Sequence, residues 1–97
     1  MPSMQEIEDF VAEVERNTAR ATERAHAWKS ARIVEAIEGG LGRVVVDGYG
    51  VLHAVELDTG GLQFTDEQRL GPAVLDAIRR AERRAEEKRV AEHTSLL

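Results

Sequence analysis

The chain has 97 residues, no cysteine and a net charge of −5 at pH 7. That length fits one domain with a modest core of its own, which leaves room for burial against a partner subunit. The missing cysteines exclude a disulfide framework and thiol chemistry, and the acidic balance argues against an obvious nucleic-acid binder.

The N-terminus, MPSMQEIEDF, lacks a basic region followed by an apolar run, so it does not read as a signal peptide. No apolar run approaches the roughly 20 residues of a membrane span, and a cytoplasmic protein is expected. Ser3-Met4-Gln5-Glu6 is a capping-box pattern that opens a helix over about 4–30. Along it Ile7, Val11, Val14, Thr18, Ala21, Ala25 and Trp28 recur at alternating spacings of four and three, an unbroken heptad seam. Phe10 widens the seam near the N-terminus, while its middle residues are small. A helix of this length spans roughly 40 Å. A compact domain of this size has a radius of gyration near 13 Å, about a third of that span. The helix therefore overhangs its own domain and is expected to pack on a second subunit.

Three strands are predicted next, at about 32–38, 41–47 and 51–57. Gly39-Gly40 separates the first two. Asp47-Gly48-Tyr49-Gly50 is a hairpin turn, with Asp47-Gly48 the strongest turn dipeptide of the chain. Asp58-Thr59-Gly60-Gly61 breaks the third strand. Thr65-Asp66-Glu67-Gln68 reads as a second capping box, opening a helix over 66–91 with Leu70, Val74, Ile78, Ala81 and Ala85 on one face. Gly71-Pro72 falls in its first turns, and 92–97 reads as a tail.

Charge is unevenly placed. Arg79, Arg80, Arg83, Arg84, Lys88 and Arg89 crowd into eleven positions of the last helix, interrupted by glutamates. Arg16, Arg20 and Arg24 form a stripe on the first. Such groups either contact phosphates, giving salt-dependent and sequence-independent affinity, or form solvated helix faces with intrahelical ion pairs. Spacing alone leaves both open. His53, Glu56 and Asp58 make a weak acid–base set, because strand alternation puts His53 on the opposite face from the other two. No nearby His or Cys completes a metal site, and His26 and His93 lie on other elements. The glycine pairs lack the strand–Lys-Ser/Thr–helix context of a phosphate loop. No cofactor, metal or catalysis is expected. Trp28 reads as core, and Tyr49, at the hairpin tip, as a partner contact.

From Arg43 to Asp58 the chain resembles the YbaB/EbfC family of small bacterial nucleoid-associated proteins, of the actinobacterial type. The shared features are the basic residue, the Val-x-aliphatic strand, the polar-Gly turn at Asp47-Gly48 and the closing Val55-Glu56-Leu57-Asp58. The capped helix with Leu70, Val74 and Asp76-Ala77 continues the likeness. Leu70-Gly71-Pro72-Ala73 departs from the family's uninterrupted helix. The resemblance implies an α+β homodimer with a three-stranded antiparallel sheet, and sequence-tolerant binding to double-stranded DNA in the nucleoid. DNA contacts are then expected at Arg16, Arg20, Arg24, Arg79, Arg80, Arg83, Arg84, Lys88 and Arg89. The dimer interface is expected at Ile7, Phe10, Val11, Val14, Val44, Val46, Val55 and Leu57. The competing function is a dimeric adaptor for a protein client, for example a secretion-associated one, with no DNA role.

Overall fold

The computed structural model describes residues 1–63 and 65–96. Its elements are α1 (Met4–Ser30), β1 (Ile33–Ile37), β2 (Gly42–Val46), β3 (Leu52–Leu57), the short α2 (Thr59–Leu62) and α3 (Glu67–Leu96). The strands form one antiparallel sheet in the order β1-β2-β3. The N-terminal helix, sheet and C-terminal helix are thus those expected.

α3 packs across β1 and β2. Ile33, Ile37, Leu41, Val44 and Val46 on the sheet side meet Ala77, Ala81 and Ala85 on the helix, all at most 5% exposed. The alanines recur every fourth residue and therefore share one helix face. With only a methyl group each, they let the helix axis come close to the sheet. The energy of this layer comes mainly from the strands, where each fully buried Val or Ile contributes about 1.5–3 kcal/mol.

The cover fixes the fate of the apolar strand residues. Val44 and Val46 are expected from sequence at a dimer interface, but both are completely buried under their own α3. Val55 and Leu57 lie across from Val44 and Gly42 in the ladder, yet remain 40% and 43% exposed because α3 packs on β1 and β2. Between Val45 and Val46 the register shifts, so that Ala54 faces Val45 and Leu52 faces Val46. His53 is the extra residue of a β-bulge.

The molecule is elongated, 74 × 22 × 16 Å with a radius of gyration of 20.9 Å. α1 accounts for this, since it contains no buried residue and projects from the sheet. Ser3 Oγ caps it by accepting from the Glu6 N–H at 3.1 Å. Among the described residues no helix is long and apolar enough to cross a membrane.

Three local expectations are corrected. The cap of α3 is Asp66 rather than Thr65, because the Asp66 carboxylate accepts from the Arg69 N–H at 2.9 Å. The expected tail at 92–97 is helical through Leu96, and Leu97 lies outside the described residues. The break after β3 contains the one-turn α2, where the Asp58 side chain caps by accepting from Gly60 N–H at 2.9 Å. Pro72 sits inside α3, in its second turn, and leaves the carbonyl one turn earlier without its usual donor. Pro72 is exposed, so water can take that place.

Candidate nucleic-acid interface

The nine basic side chains proposed from sequence divide into two groups by what they touch. Arg80 and Arg84 turn toward β1. Arg80 donates to Glu35 at 2.6 Å and to the Ala36 carbonyl at 2.9 Å, and Arg84 donates to Glu35 at 2.8 Å and to the Val34 carbonyl at 2.9 Å. Asp76, one turn before Arg80, holds it from the other side at 3.0 Å. β1 is an edge strand, and its outward carbonyls are acceptors that another chain's strand would otherwise pair with. The two guanidinium groups occupy them and fasten α3 to the sheet edge. The hydrogen bond from Arg84 is the main reason that the Glu35 carboxyl sits below its ordinary pKa, with the charge of Arg80 adding to it.

Arg89 is likewise engaged, donating to the Gly48 carbonyl at the hairpin tip. This tip is the joint between sheet and helices. The Gly48 N–H donates to the Trp28 carbonyl at 2.7 Å, and the Tyr49 hydroxyl reaches the Ala25 carbonyl at 3.5 Å. A Cβ on Gly48 would stand 2.6 Å from both the Trp28 ring and its carbonyl oxygen. Close approach, rather than a left-handed backbone, is thus what requires glycine here. Through this joint Arg24 of α1 and Arg89 of α3 come to line one cleft of about 140 Å³, together with Trp28, Glu92 and His93.

The remaining cations are Arg16, Arg20 and Arg24 on α1, and Arg79, Arg83 and Lys88 on α3. All are exposed, and none has a side-chain hydrogen bond or ion pair among the described residues. Arg79 and Arg83 are one turn apart on the side of α3 away from Ala77, Ala81 and Ala85. Lys88 continues the alanine face past the end of the sheet. Exposed guanidinium groups without hydrogen-bond partners on two helices suit phosphate oxygens, which Arg meets with two parallel donors.

The residues that resemble an acid–base set in sequence have structural partners. His53 donates to Asp47 Oδ2 at 2.9 Å, Glu56 pairs with Arg43 across the β2–β3 ladder, and Asp58 caps α2. Among the described residues no group of three metal-ligating side chains converges.

Asp47 and Glu35 are the organising acidic residues that sequence reasoning passed over. Asp47 is 4% exposed. Its second oxygen accepts from the Tyr49 and Val51 N–H groups at 2.8 and 3.1 Å. The His53 hydrogen bond first, and these backbone donors next, hold its carboxyl below the ordinary value of 3.8. An acid with a lowered folded-state pKa stabilises the fold above its unfolded pKa, and that contribution is lost as pH falls through the folded value. Asp47→Asn should therefore lose less thermal stability than the wild type when pH is lowered from about 5 to about 2.5. Equal acid sensitivity of the two proteins in thermal melts would show that the carboxylate is not what fixes the tip.

A projecting helix, a three-stranded sheet with one edge sealed by arginine, and a second long helix across that sheet define a small α+β chain. It belongs to the YbaB/EbfC DNA-binding family, whose sequence pattern matches residues 2–97. Among solved structures it is similar to an uncharacterised Helicobacter pylori protein, HP0035, with a TM-score of 0.67 and 16% identity over 99% of this chain and 98% of that one. At that identity the likeness establishes a shared fold. No curated protein matches the chain significantly.

Proposed function

We propose that this protein is a non-enzymatic, nucleoid-associated homodimer in the cytoplasm that binds double-stranded DNA through its phosphates, with little regard to sequence. The observation that carries the reading is the set of unpaired, exposed arginines on α1 and α3, in a chain of a DNA-binding family. The acidic total does not by itself oppose it, because charge is unevenly placed: residues 4–15 of α1 hold five acids and no basic side chain, while Arg16, Arg20 and Arg24 follow on the same helix.

The dimer is supported by the apolar residues that one chain leaves in water. Ile7, Phe10, Val11 and Val14 on α1 are 46–66% exposed, and Val55 and Leu57 are exposed on β3. Doubling the chain would also double the phosphate contacts along one duplex. The contact residues proposed are Arg16, Arg20, Arg24, Arg79, Arg83 and Lys88. Arg80, Arg84 and Arg89 act mainly by holding α3 and the hairpin tip in place.

Fluorescence anisotropy with two duplexes of equal length and unrelated sequence tests this reading, alongside sedimentation of the free protein. Affinities within about threefold for the two duplexes, and a dimer at micromolar concentration, are expected, because phosphate contacts carry no base information. An intact dimer that binds neither duplex at low salt would instead favour the protein-adaptor function.

A further inference from the structure

The cleft between the two long helices has a chemically mixed lining. Arg24 and Trp28 stand one turn apart on α1, and Arg89 and His93 one turn apart on α3, so each pair shares a helix face. The two pairs meet beside the hairpin tip, and Glu92 completes the lining. Trp28 is half-buried, with the Cε3 side of its ring against Gly48. Arg24 and His93 are exposed and stand at the rim. Arg89 donates to the Gly48 carbonyl, which engages only part of a guanidinium's five donors. The cleft holds about 140 Å³. An apolar cavity of about 150 Å³ takes a benzene ring, so this space admits one six-membered ring.

We propose that this cleft holds one unstacked nucleotide of DNA, its base against the Trp28 ring and its phosphate on Arg24, Arg89 and His93. This rests on the proposed DNA binding and adds a preference to it, for DNA with an unpaired nucleotide over a closed duplex. Basic side chains alone would serve any phosphate, but the rest of the lining selects a nucleotide. An indole beside arginine is a stacking surface, and every base offers a π face, so such a site tells unpaired from paired bases without reading sequence. Bases inside a duplex are covered on both faces by their neighbours. They reach the ring only at an unstacking cost that an end, a gap or a single-stranded stretch does not carry. Glu92 would oppose a bare phosphate. Its carboxylate accepts hydrogen bonds and so matches the amino group of a base such as cytosine. The position of the cleft agrees with this. Arg16, Arg20 and Arg24 run along α1 at intervals of one turn, so a duplex lying on that row brings its end to Trp28.

Trp28 is the only tryptophan of the chain, so its fluorescence reports the cleft directly. The wild-type protein is titrated at fixed salt with two DNAs of one duplex sequence. The first is closed at both ends by base-free glycol loops, and the second carries a short unpaired cytosine overhang at one end. The overhang DNA should bind about 5- to 100-fold more tightly and quench Trp28, which the closed duplex should not do. Trp28→Leu, with its fold checked by circular dichroism, should bind both DNAs alike, at about the wild-type affinity for the closed duplex. His93→Ala, at an exposed position, should narrow the preference by at least about threefold and carries the same test where Trp28→Leu loses the fold. Free cytidine monophosphate should quench only at concentrations about 100-fold or more above those of the overhang DNA, because it lacks the duplex contacts. Equal potency would make this a site for free nucleotides and overturn the assignment to DNA. Equal affinity of the wild type for both DNAs, or a preference that both variants keep in full, would overturn the nucleotide site and leave duplex binding standing. Binding to neither DNA at low salt would remove both.

Discussion

Gly42→Ala should lower the unfolding free energy by about 3 kcal/mol or more, the sum of backbone strain and a steric collision. Gly42 has φ +139°, a region that side-chain-bearing residues rarely adopt. It opens β2 and lies across from both Ile37 and Leu57, at the point where the two ladders start. A Cβ there would stand 2.0 Å from the Glu56 carbonyl oxygen and 2.9 Å from Leu57 Cα. Both are backbone atoms of β3, so relief requires that strand to move off the sheet. For a domain of this size the loss corresponds to a drop in Tm of about 15 °C. Gly71→Ala is the internal control. Gly71 lies in α3, where an added methyl group would meet nothing within 4 Å, and alanine in a helix interior gains about 0.5–1 kcal/mol over glycine. A Gly42→Ala protein melting like the wild type would contradict the ladder geometry.

The same glycine illustrates how far the sequence could be read. Turn chemistry and apolar period place three strands and two long helices, because these are local signals. Nothing local marks Gly42 as a close-approach position, since the obstructing atoms come from Glu56 and Leu57. Val44 and Val46 are recognisable as one apolar face, but whether that face meets α3 or a second subunit depends on the path of the chain. The basic segment of α3 shows this most clearly. Arg80 and Arg84 look like Arg79 and Arg83 in sequence, and Glu35, the residue that separates them in role, is 45 and 49 positions away. The Asp66 cap, one residue from the expected Thr65, is a smaller case, because both side chains can cap and only geometry chooses.

That division of the arginines yields the second large effect. Arg79→Gln combined with Arg83→Gln removes two free cations per chain, four in the proposed dimer. Affinity for any duplex should fall by about 10- to 100-fold at low salt, with Tm nearly unchanged. Arg80→Gln combined with Arg84→Gln should do the reverse. It strips Glu35 of both hydrogen-bond donors and uncovers the Val34 and Ala36 carbonyls, so Tm falls first and DNA binding follows only through loss of fold. If the two double variants were equally defective in DNA binding and equally stable, the separation of contact from holding arginines would be wrong.

The measurement that bears most directly on the function is a salt series. Binding of the wild-type protein to one duplex is followed by anisotropy from about 50 to 200 mM monovalent salt, and log K is plotted against log salt. Each phosphate contact contributes about −0.9 to the slope, so a dimer using several arginines per chain should give a slope of about −5 or steeper. The Arg79→Gln, Arg83→Gln protein should be shallower by about 3 to 4. A slope near zero, or no binding at the lowest salt by a folded dimer, would contradict phosphate-directed DNA binding by the helical arginines.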